Sequence, residues 1–314
     1  VVMEVSSHAL EQDRVAGINF NVGVFTNLTQ DHLDYHESME RYCAAKLELF
    51  ARIQGPDAFT VVNLDDPRGP DFVKASSVTC YTTGSRGDVC ALDIQASPAA
   101  MDFRLVSPWG TAPVRIRLLG MHNVSNALGV IAVCCGLGLP LDNVVQALGT
   151  VARIPGRFEA IDAGQPFQVV VDYAHTDDGL RNVLQAARSI CRGRVILVFG
   201  CGGDRDKGKR PKMGAVAGQL ADYSIITSDN PRSEPPGEIL AQIEPGMAQA
   251  GRSRGADYEV IEDRASAIRA AIDMAQDADL VLIAGKGHED YQIIGDTRIH
   301  FDDREVARAA LEGA

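Results

Sequence analysis

The sequence lacks the long apolar runs, paired cysteines and repeats that mark several protein classes. No apolar run in its 314 residues reaches the length of a membrane-spanning helix, and no charged-then-apolar leader opens the chain. The 7 cysteines form no CxxC or Cys/His pattern with metal-ligand spacing. These absences argue against membrane insertion and a structural zinc site, and they favour a reduced, cytoplasmic location.

Basic residues are also fewer than acidic residues. The chain has 30 Lys and Arg against 42 Asp and Glu, which gives a formal net charge of −12. This balance argues against a general nucleic-acid binder, although local arginines can still bind small anionic substrates. With 46% hydrophobic and 23% charged residues, the composition is that of a soluble globular protein of about two domains.

The second half of the chain alternates short apolar runs with helical patterns. Strands are predicted over 169–172, 195–199, 224–227, 258–261 and 280–284, and helices over 178–191, 212–223, 238–250 and 264–276. Strict alternation with nearly continuous apolar strands predicts an α/β domain with a doubly wound, largely parallel, Rossmann-like sheet. The break at Ile154–Arg157 predicts a domain boundary, with domains over 1–153 and 154–314.

The first half mixes two kinds of strand pattern. Buried strands are predicted over 1–5 and 22–25, and a helix over 38–51 begins after the N-cap Ser38. Residues 59–119 then alternate strands and turns, which is consistent with a small antiparallel flap on a mostly parallel sheet. Helices are predicted over 120–138 and 141–151.

The glycine-rich loop Gly200–Pro211 partly matches a phosphate loop. Residues 203–209 satisfy the first seven positions of GxxxxGK[ST], and the loop joins a strand to a helix as that motif requires. The eighth position is Arg210, which has no hydroxyl for Mg²⁺, and Pro211 removes a backbone N–H donor. A true phosphate loop is therefore not expected here.

Polar clusters follow four of the predicted strands in the second half. They are Asp172–His175, Gly200–Pro211, Asp229–Arg232 and Gly285–Glu289. Because the carboxyl ends of parallel strands meet at one edge of a sheet, these clusters predict one composite site.

Ligand-type side chains are also dense in the first half, in the loop 26–36. By pattern alone, Glu4 is an ordinary surface carboxylate or a metal ligand at a strand end. Lys46 has the pattern of a solvent-facing helix lysine, and Asn123 that of a helix cap.

Nine short motifs occur in the order and approximate spacing found in the Mur ligases, and in particular in the MurE type. They are MEVSSHAL (3–10), FTNLTQDHLDYH (25–36), AAK (44–46), HNVSNAL (122–128), PGR (155–157), VDYAHT (171–176), FGCGGDRDKGKRP (199–211), SDNPR (228–232) and GKGHE (285–289). The chain resembles this family over its whole length. The resemblance implies the later part of a central ATPase domain (1–153) and a complete C-terminal domain (154–314), with the phosphate loop and the uridine-nucleotide-binding domain upstream of Val1.

The resemblance also implies roles for individual residues. The Mg²⁺ ligands would be Glu4, His32 and Lys46, with Lys46 as a catalytic, carbamylated lysine. The UDP-sugar dipeptide would contact Ser6, Gln12 and Arg14. ATP would bind at Asn123, Arg157, Asp172 and His175. Diaminopimelate would bind at Arg205, Asp229, Asn230, Pro231, Arg232, Gly285 and Glu289. Met121 departs from the family pattern, because many relatives have arginine at this position.

The implied reaction is ATP- and Mg²⁺-dependent amide formation in peptidoglycan precursor synthesis. An acyl phosphate forms on the D-glutamyl γ-carboxylate of UDP-MurNAc-L-Ala-D-Glu, and the amine of meso-diaminopimelate displaces phosphate. In this family the tetrapeptide DNPR accompanies diaminopimelate, whose second carboxylate suits Arg232 together with Arg205. The alternatives are a ligase that adds lysine, a folylpolyglutamate synthase-like ligase, and a non-catalytic fragment that binds without turning over ATP.

Overall fold

The computed structural model describes residues 1–97, 100–151 and 154–313. It contains two compact units, Val1–Ala152 and Arg153–Ala314, and each has its own apolar clusters. Arg153, beside the predicted domain boundary, lies outside the described residues. No helix among the described residues combines the length and the apolarity that crossing a bilayer requires.

The first unit has a parallel sheet and a separate antiparallel one. Its elements are α1 (Ser7–Glu11), β1 (Val22–Phe25), α2 (Leu33–His36), α3 (Met39–Arg52), β2 (Phe59–Asn63), α4 (Gly69–Ala75), β3 (Thr79–Thr83), β4 (Cys90–Ala96), β5 (Met101–Ser107), β6 (Gly110–Ile116), α5 (Met121–Gly136) and α6 (Leu141–Thr150). Strands β1, β2 and β3 are parallel neighbours, whereas β4, β5 and β6 pair antiparallel. The antiparallel flap is confirmed.

Two local predictions for this unit are wrong. Residues 1–5 form no strand, and Val1 and Val2 are fully exposed. An apolar run becomes a strand only where a neighbouring strand offers ladder partners, and none of the described strands pairs with this one. Asn123 is not a helix cap, because α5 begins after Gly120 and the Asn123 side chain donates Nδ2–H to Leu119 O at 2.8 Å.

The second unit is a doubly wound α/β domain. Its elements are β7 (Glu159–Ala160), β8 (Gln168–Asp172), α7 (Asp177–Ile190), β9 (Val195–Phe199), α8 (Lys209–Leu220), β10 (Tyr223–Ile226), α9 (Pro236–Gln249), β11 (Tyr258–Val260), α10 (Arg264–Asp273), β12 (Leu280–Ala284), β13 (Tyr291–Ile294), β14 (Thr297–His300) and α11 (Asp303–Glu312). The sheet order is β11-β10-β9-β12-β8-β7, and all pairs except β7 with β8 are parallel.

Both faces of this sheet are covered, which explains why its strands are continuously apolar. On β9, Val195, Leu197 and Phe199 pack with α7, α8 and α9, whereas Ile196 and Val198 pack with α10 and α11. Each strand therefore needs apolar side chains at every position. The carboxyl ends of β8, β9, β10 and β12 consequently share one edge, and the polar clusters follow there.

Helix α8 differs in detail from its prediction. It begins at Lys209 rather than 212 and ends at Leu220, while Tyr223 belongs to β10. Pro211 is the third residue of the helix, where its missing N–H breaks no internal hydrogen bond.

Candidate functional site

The loops after β10 and β12 are joined by the side chain of Asn230. Its Nδ2 donates to Glu289 Oε2 at 3.0 Å, and its Oδ1 accepts from Lys286 Nζ at 2.9 Å. Asn230 is almost completely buried, so its orientation is set by these partners and by the backbone N–H of Ile293, which donates to Oδ1 at 3.0 Å. The structure thus brings the predicted residues Asn230 and Glu289 together.

The loops after β9 and β10 are joined around Gly202 and Gly203. Gly203 N donates to Asn230 O at 2.9 Å, and Arg232 Nη1 donates to Gly203 O at 2.7 Å. A Cβ placed on Gly202 would lie 2.9 Å from Arg232 Nη1 and 3.7 Å from Arg205 Cγ. The two arginines therefore flank the same glycine, where a Cβ would crowd the Arg232 guanidinium and make ordinary contact with Arg205.

These two arginines differ in exposure. Arg205 is exposed and donates Nη1–H to Asp204 O at 2.9 Å. Arg232 is half-buried, and its backbone is held by β13, since Arg232 N donates to Ile293 O and Gly295 N donates to Arg232 O. Arg232 has φ of +52°, a left-handed conformation that a non-glycine residue adopts only when its surroundings fix it.

Asp229 lies inside the protein beneath this site. Its carboxylate is 3.3 Å from Lys286 Nζ. Burial raises the pKa of Asp229, but the charges of Lys286 and Arg264 outweigh burial and leave its pKa below the usual range. This carboxylate is thus a charged partner for Lys286, and direct contact with a ligand stays a prediction.

Lys286 is a site residue that the sequence did not predict. Its ammonium is fully buried and donates to Tyr291 O at 2.7 Å as well as to Asn230. It therefore ties the loop after β10 to β13. The sequence does contain one indication of this role. Lys286 lies between two glycines directly after a wholly apolar strand, a position where a charged group needs partners.

Two further predicted residues shape the backbone beside these groups. Gly285 has φ of +125° and donates its N–H to Asp172 O at 3.0 Å. Pro231 is buried, and its carbonyl accepts from Glu234 N at 3.1 Å in a turn.

The residues predicted to bind ATP in the second unit lie around Tyr173. The guanidinium of Arg157 is 4.6 Å from the centre of the Tyr173 ring, and His175 Nδ1 lies 2.9 Å from Tyr173 O. Burial, followed by the nearby Glu289, raises the pKa of Tyr173 to about 12. Tyr173 OH lies 3.5 Å from Glu289 Oε1, so this cluster adjoins the arginine loops.

Asp172 is held by backbone donors. Its two carboxylate oxygens accept from Phe158 N at 2.7 Å and from Ala174 N at 2.8 Å. Gly156 lies against the loop after β12, because a Cβ there would come within 2.1 Å of His288 N. Only glycine permits this approach. Asn123, the remaining residue of the predicted ATP set, belongs to the first unit.

The predicted metal ligands of the first unit gather around the buried ring of Tyr42. The His32 ring centre is 6.1 Å from the Tyr42 ring centre, and Lys46 Nζ is 5.2 Å from it. Burial, followed by the charges of Asp31 and Glu4, raises the pKa of Tyr42 to about 12. His32 and Lys46 thus lie beside the same ring, and the charge of Glu4 acts on both Tyr42 and Lys46.

Lys46 is half-buried, so the solvent-facing interpretation of the helix pattern is wrong. Burial lowers the pKa of Lys46, while Glu4 and Asp31 act in the opposite direction. No group of three or more His, Cys, Asp or Glu side chains in the described part of the chain is arranged to bind a metal. The charges of Glu4 and Asp31 do act on Lys46, however, and carboxylate oxygens suit Mg²⁺.

The three residues predicted to bind the dipeptide nucleotide lie along α1 and the turn after it. Ser6 caps the helix by accepting from Ala9 N at 3.2 Å. Gln12 Nε2 donates to Tyr35 OH at 3.2 Å, and Arg14 is exposed. The end of α1 thus contacts α2, the helix that begins directly after His32.

His36 is one of the ligand-type side chains that the sequence places in the loop 26–36, but the sequence assigned it no role. It is fully buried, and its Nε2 lies 2.7 Å from Ser7 Oγ. Its ring packs 5.3 Å from that of His8 and 5.2 Å from that of Tyr42. His36 therefore fixes α1 against α2 and α3.

Two protein-family models together match nearly the whole chain. The Mur ligase middle domain matches residues 1–134, and the Mur ligase glutamate ligase domain matches residues 156–287. The chain is 47% identical over 316 residues to UDP-N-acetylmuramoyl-L-alanyl-D-glutamate–2,6-diaminopimelate ligase of Syntrophomonas wolfei, covering 100% of this chain and 64% of that protein. It is 50% identical over 317 residues to the ligase of the same name from Synechococcus elongatus, covering 99% and 62%.

A solved structure of a ligase with this name has 37% sequence identity and a TM-score of 0.60, with 98% of this chain and 63% of that chain covered. The chain therefore spans about 64% of the length of the curated relatives that it matches. Over this span, the order of the motifs, the fold and the relatives all indicate the same family. The chain belongs to the Mur ligase family.

Proposed function

We propose that this chain forms the greater part of an ATP-dependent ligase that adds meso-diaminopimelate to the D-glutamyl γ-carboxylate of UDP-MurNAc-L-Ala-D-Glu. In this proposal, residues 1–153 belong to a central ATPase domain and residues 154–314 form the C-terminal domain of a cytoplasmic enzyme. The observation that carries the proposal is the convergence of Arg205 and Arg232 on Gly202, next to Asn230 and Glu289.

The arginine pair accounts for the choice of amino acid. Diaminopimelate has a carboxylate and an ammonium at each end, whereas lysine lacks the distal carboxylate. Two guanidinium groups bind one carboxylate through charge-assisted hydrogen bonds, and Glu289 is placed to accept from an ammonium. A lysine substrate would leave the arginines without this partner, at a cost of about 1–3 kcal/mol.

The remaining residues serve the acyl phosphate chemistry. Arg157 offers its guanidinium to phosphate, and Asp172 and His175 present polar atoms suited to ribose hydroxyls. Asn123, which belongs to the first unit, stays a predicted ATP ligand. Mg²⁺, when bound, offsets the charge that grows on the transferring phosphoryl group.

Lys46 provides an oxygen donor only after a change of charge. Its ammonium cannot bind a cation, but the neutral amine forms an N–C bond to carbon dioxide and loses one N–H proton to water, which leaves a carbamate anion. The lowered pKa of Lys46 favours that neutral form. Glu4, His32 and the Lys46 carbamate would then hold Mg²⁺, and Ser6, Gln12 and Arg14 would contact the dipeptide nucleotide.

Phosphate release tests the proposal. The chain, extended to the full length of its relatives, is mixed with ATP, Mg²⁺, the dipeptide nucleotide and either diaminopimelate or lysine. We expect release with diaminopimelate and little with lysine. Release with lysine alone would show that the arginine pair does not select the substrate.

A further inference from the structure

Glu234 connects the segment after Arg232 to the glycine-rich loop. Its carboxylate accepts from Arg210 Nη2 at 2.8 Å and from Arg210 Nη1 at 3.0 Å, one bond on each oxygen. The backbone N–H of Asp204 donates to Glu234 Oε1 at 2.6 Å, and Lys207 Nζ lies 3.1 Å from Oε2. A single carboxylate is thus bound at three points of the loop.

Arg210 makes this connection rigid. Its side chain is completely buried and also donates to Gln242 Oε1 in α9 at 2.8 Å and to Gly202 O at 3.1 Å. A bidentate arginine–carboxylate pair has a fixed planar geometry, unlike a pair formed by lysine. Arg210 therefore fixes the loop, the segment after β10 and α9 relative to one another.

A second connection lies directly beside the two arginines that flank Gly202. Ser233 donates Oγ–H to Asp204 Oδ1 at 2.7 Å and N–H to Asp204 Oδ2 at 3.1 Å. Arg205 follows Asp204 in sequence, and Arg232 precedes Ser233. Asp204 has φ of +53°. Each of the two segments joined by this contact therefore contains a non-glycine residue in the left-handed region, Asp204 in one and Arg232 in the other.

Glu234 and Arg210 are poorly placed to touch a ligand themselves. Their side chains are 11% and 0% exposed, and the hydrogen bonds of their polar atoms go to each other, to the loop and to Gln242 in α9. Their influence on binding has to pass through the residues that they hold. They are positioning residues.

We propose that Glu234 and Arg210, together with the Asp204–Ser233 contact, form a latch that sets the spacing of Arg205 and Arg232 and so selects amino acids with a distal carboxylate. This inference rests on the proposed function. Two guanidinium groups share one carboxylate only at a fixed separation, so a small displacement weakens binding of the distal end. Lysine has no distal carboxylate, and its use does not depend on that spacing.

The test compares wild type with Glu234→Gln in the chain extended to its relatives' full length. KM values for diaminopimelate and ATP, kcat, and kcat/KM for lysine are measured by phosphate release. The amide retains one acceptor for Asp204 N–H but loses the charge and the bidentate pairing. We expect the KM for diaminopimelate to rise about tenfold, with kcat and the KM for ATP changed less than about twofold. The preference for diaminopimelate over lysine falls by the same factor.

Asp279→Asn is the matched control. Asp279 is also buried, accepts from Arg194 Nε and Nη2, and is bound by backbone N–H groups, but it precedes β12 at the opposite end of the sheet. We expect this variant to unfold at lower temperature while its KM values stay those of wild type. If it raises the KM for diaminopimelate as much as Glu234→Gln does, the effect is general destabilisation and the latch is refuted.

Asp204→Ala covers the case in which Glu234→Gln does not fold, because Asp204 is exposed and its loss leaves the Arg210–Glu234 pair intact. A selective rise in the KM for diaminopimelate supports the latch, and an unchanged KM in folded variants refutes it. Wild-type protein that releases no phosphate with diaminopimelate would refute the proposed function instead, so the two failures are distinguishable.

Discussion

Arg264 and Asp303 form a bidentate ion pair in which neither side chain is exposed to solvent. Arg264 Nε donates to Asp303 Oδ1 at 2.7 Å, and Nη2 donates to Oδ2 at 2.8 Å. The same guanidinium donates to Ala284 O at 3.0 Å, at the end of β12. The pair therefore supports one of the strand ends from which the candidate site is built.

Replacing Arg264 tests how much this ion pair contributes to the free energy of unfolding. Arg264→Met leaves the Asp303 carboxylate buried without its partner, so we expect the free energy of unfolding in urea to fall by about 3–5 kcal/mol. The double variant Arg264→Met/Asp303→Leu removes both charges and should recover most of that loss. Arg308→Met, on an exposed part of α11, is the control and should cost less than about 0.5 kcal/mol. A double variant no more stable than Arg264→Met would contradict this explanation.

Substitution of Arg232 tests the arginine pair of the candidate site. Arg232→Lys keeps the charge but loses the planar, bidentate donor set, so we expect the KM for diaminopimelate to rise by at least about tenfold and the KM for ATP to change little. Arg308→Lys is the matched control for the same exchange at an exposed arginine. Equal effects of Arg232→Lys on both substrates would show that Arg232 does not bind the amino acid.

Substitution of Lys46 tests its proposed carbamylation. Lys46→Ala removes the only group in this cluster that can carry the carbamate, so we expect no measurable phosphate release. Added bicarbonate should stimulate wild type and leave the variant inactive. Lys74→Ala changes an exposed helical lysine of the same unit and should behave as wild type. Activity in Lys46→Ala would remove this residue from the site.

The sequence predicts strands well where burial alone decides the outcome. The ranges 195–199 and 280–284 match β9 and β12 to the residue, because both faces of these strands are covered and every side chain is apolar. The run at 1–5 is also mostly apolar, apart from Glu4, but it lacks a pairing partner among the described strands, which no local pattern can show. The hairpin β13–β14 was missed although Gly295–Asp296 is a typical two-residue turn.

The sequence also predicted some residues of the candidate site and missed others. Because the carboxyl ends of parallel strands meet at one edge of a sheet, the sequence places Asn230, Arg232 and Glu289 near one another. The structure confirms that they share one cluster of loops. Lys286 and Glu234 were not predicted. A buried charge is recognised by its partners, and those that join separate segments are distant in sequence: Arg210 is 24 residues from Glu234, and Asn230 is 56 residues from Lys286. Such a residue looks like any surface charge until the fold is known.

The acid dependence of stability tests the charge state of Glu234. Hydrogen bonds from Arg210 lower the pKa of Glu234 from 4.5 to about 2. A carboxylate with a lowered pKa stabilises the folded state fully above its unfolded pKa, and this contribution is lost as pH falls through the folded pKa.

We therefore expect the difference in unfolding free energy between wild type and Glu234→Gln to be constant at neutral pH. It should shrink as pH falls from about 4.5 to about 2, because only wild type loses a charge there. Urea unfolding at a series of pH values measures this difference, and Arg308→Lys should give a difference that does not change with pH. A difference between wild type and Glu234→Gln that stays constant down to pH 2 would mean that Glu234 is not held as an anion by Arg210 in the folded protein.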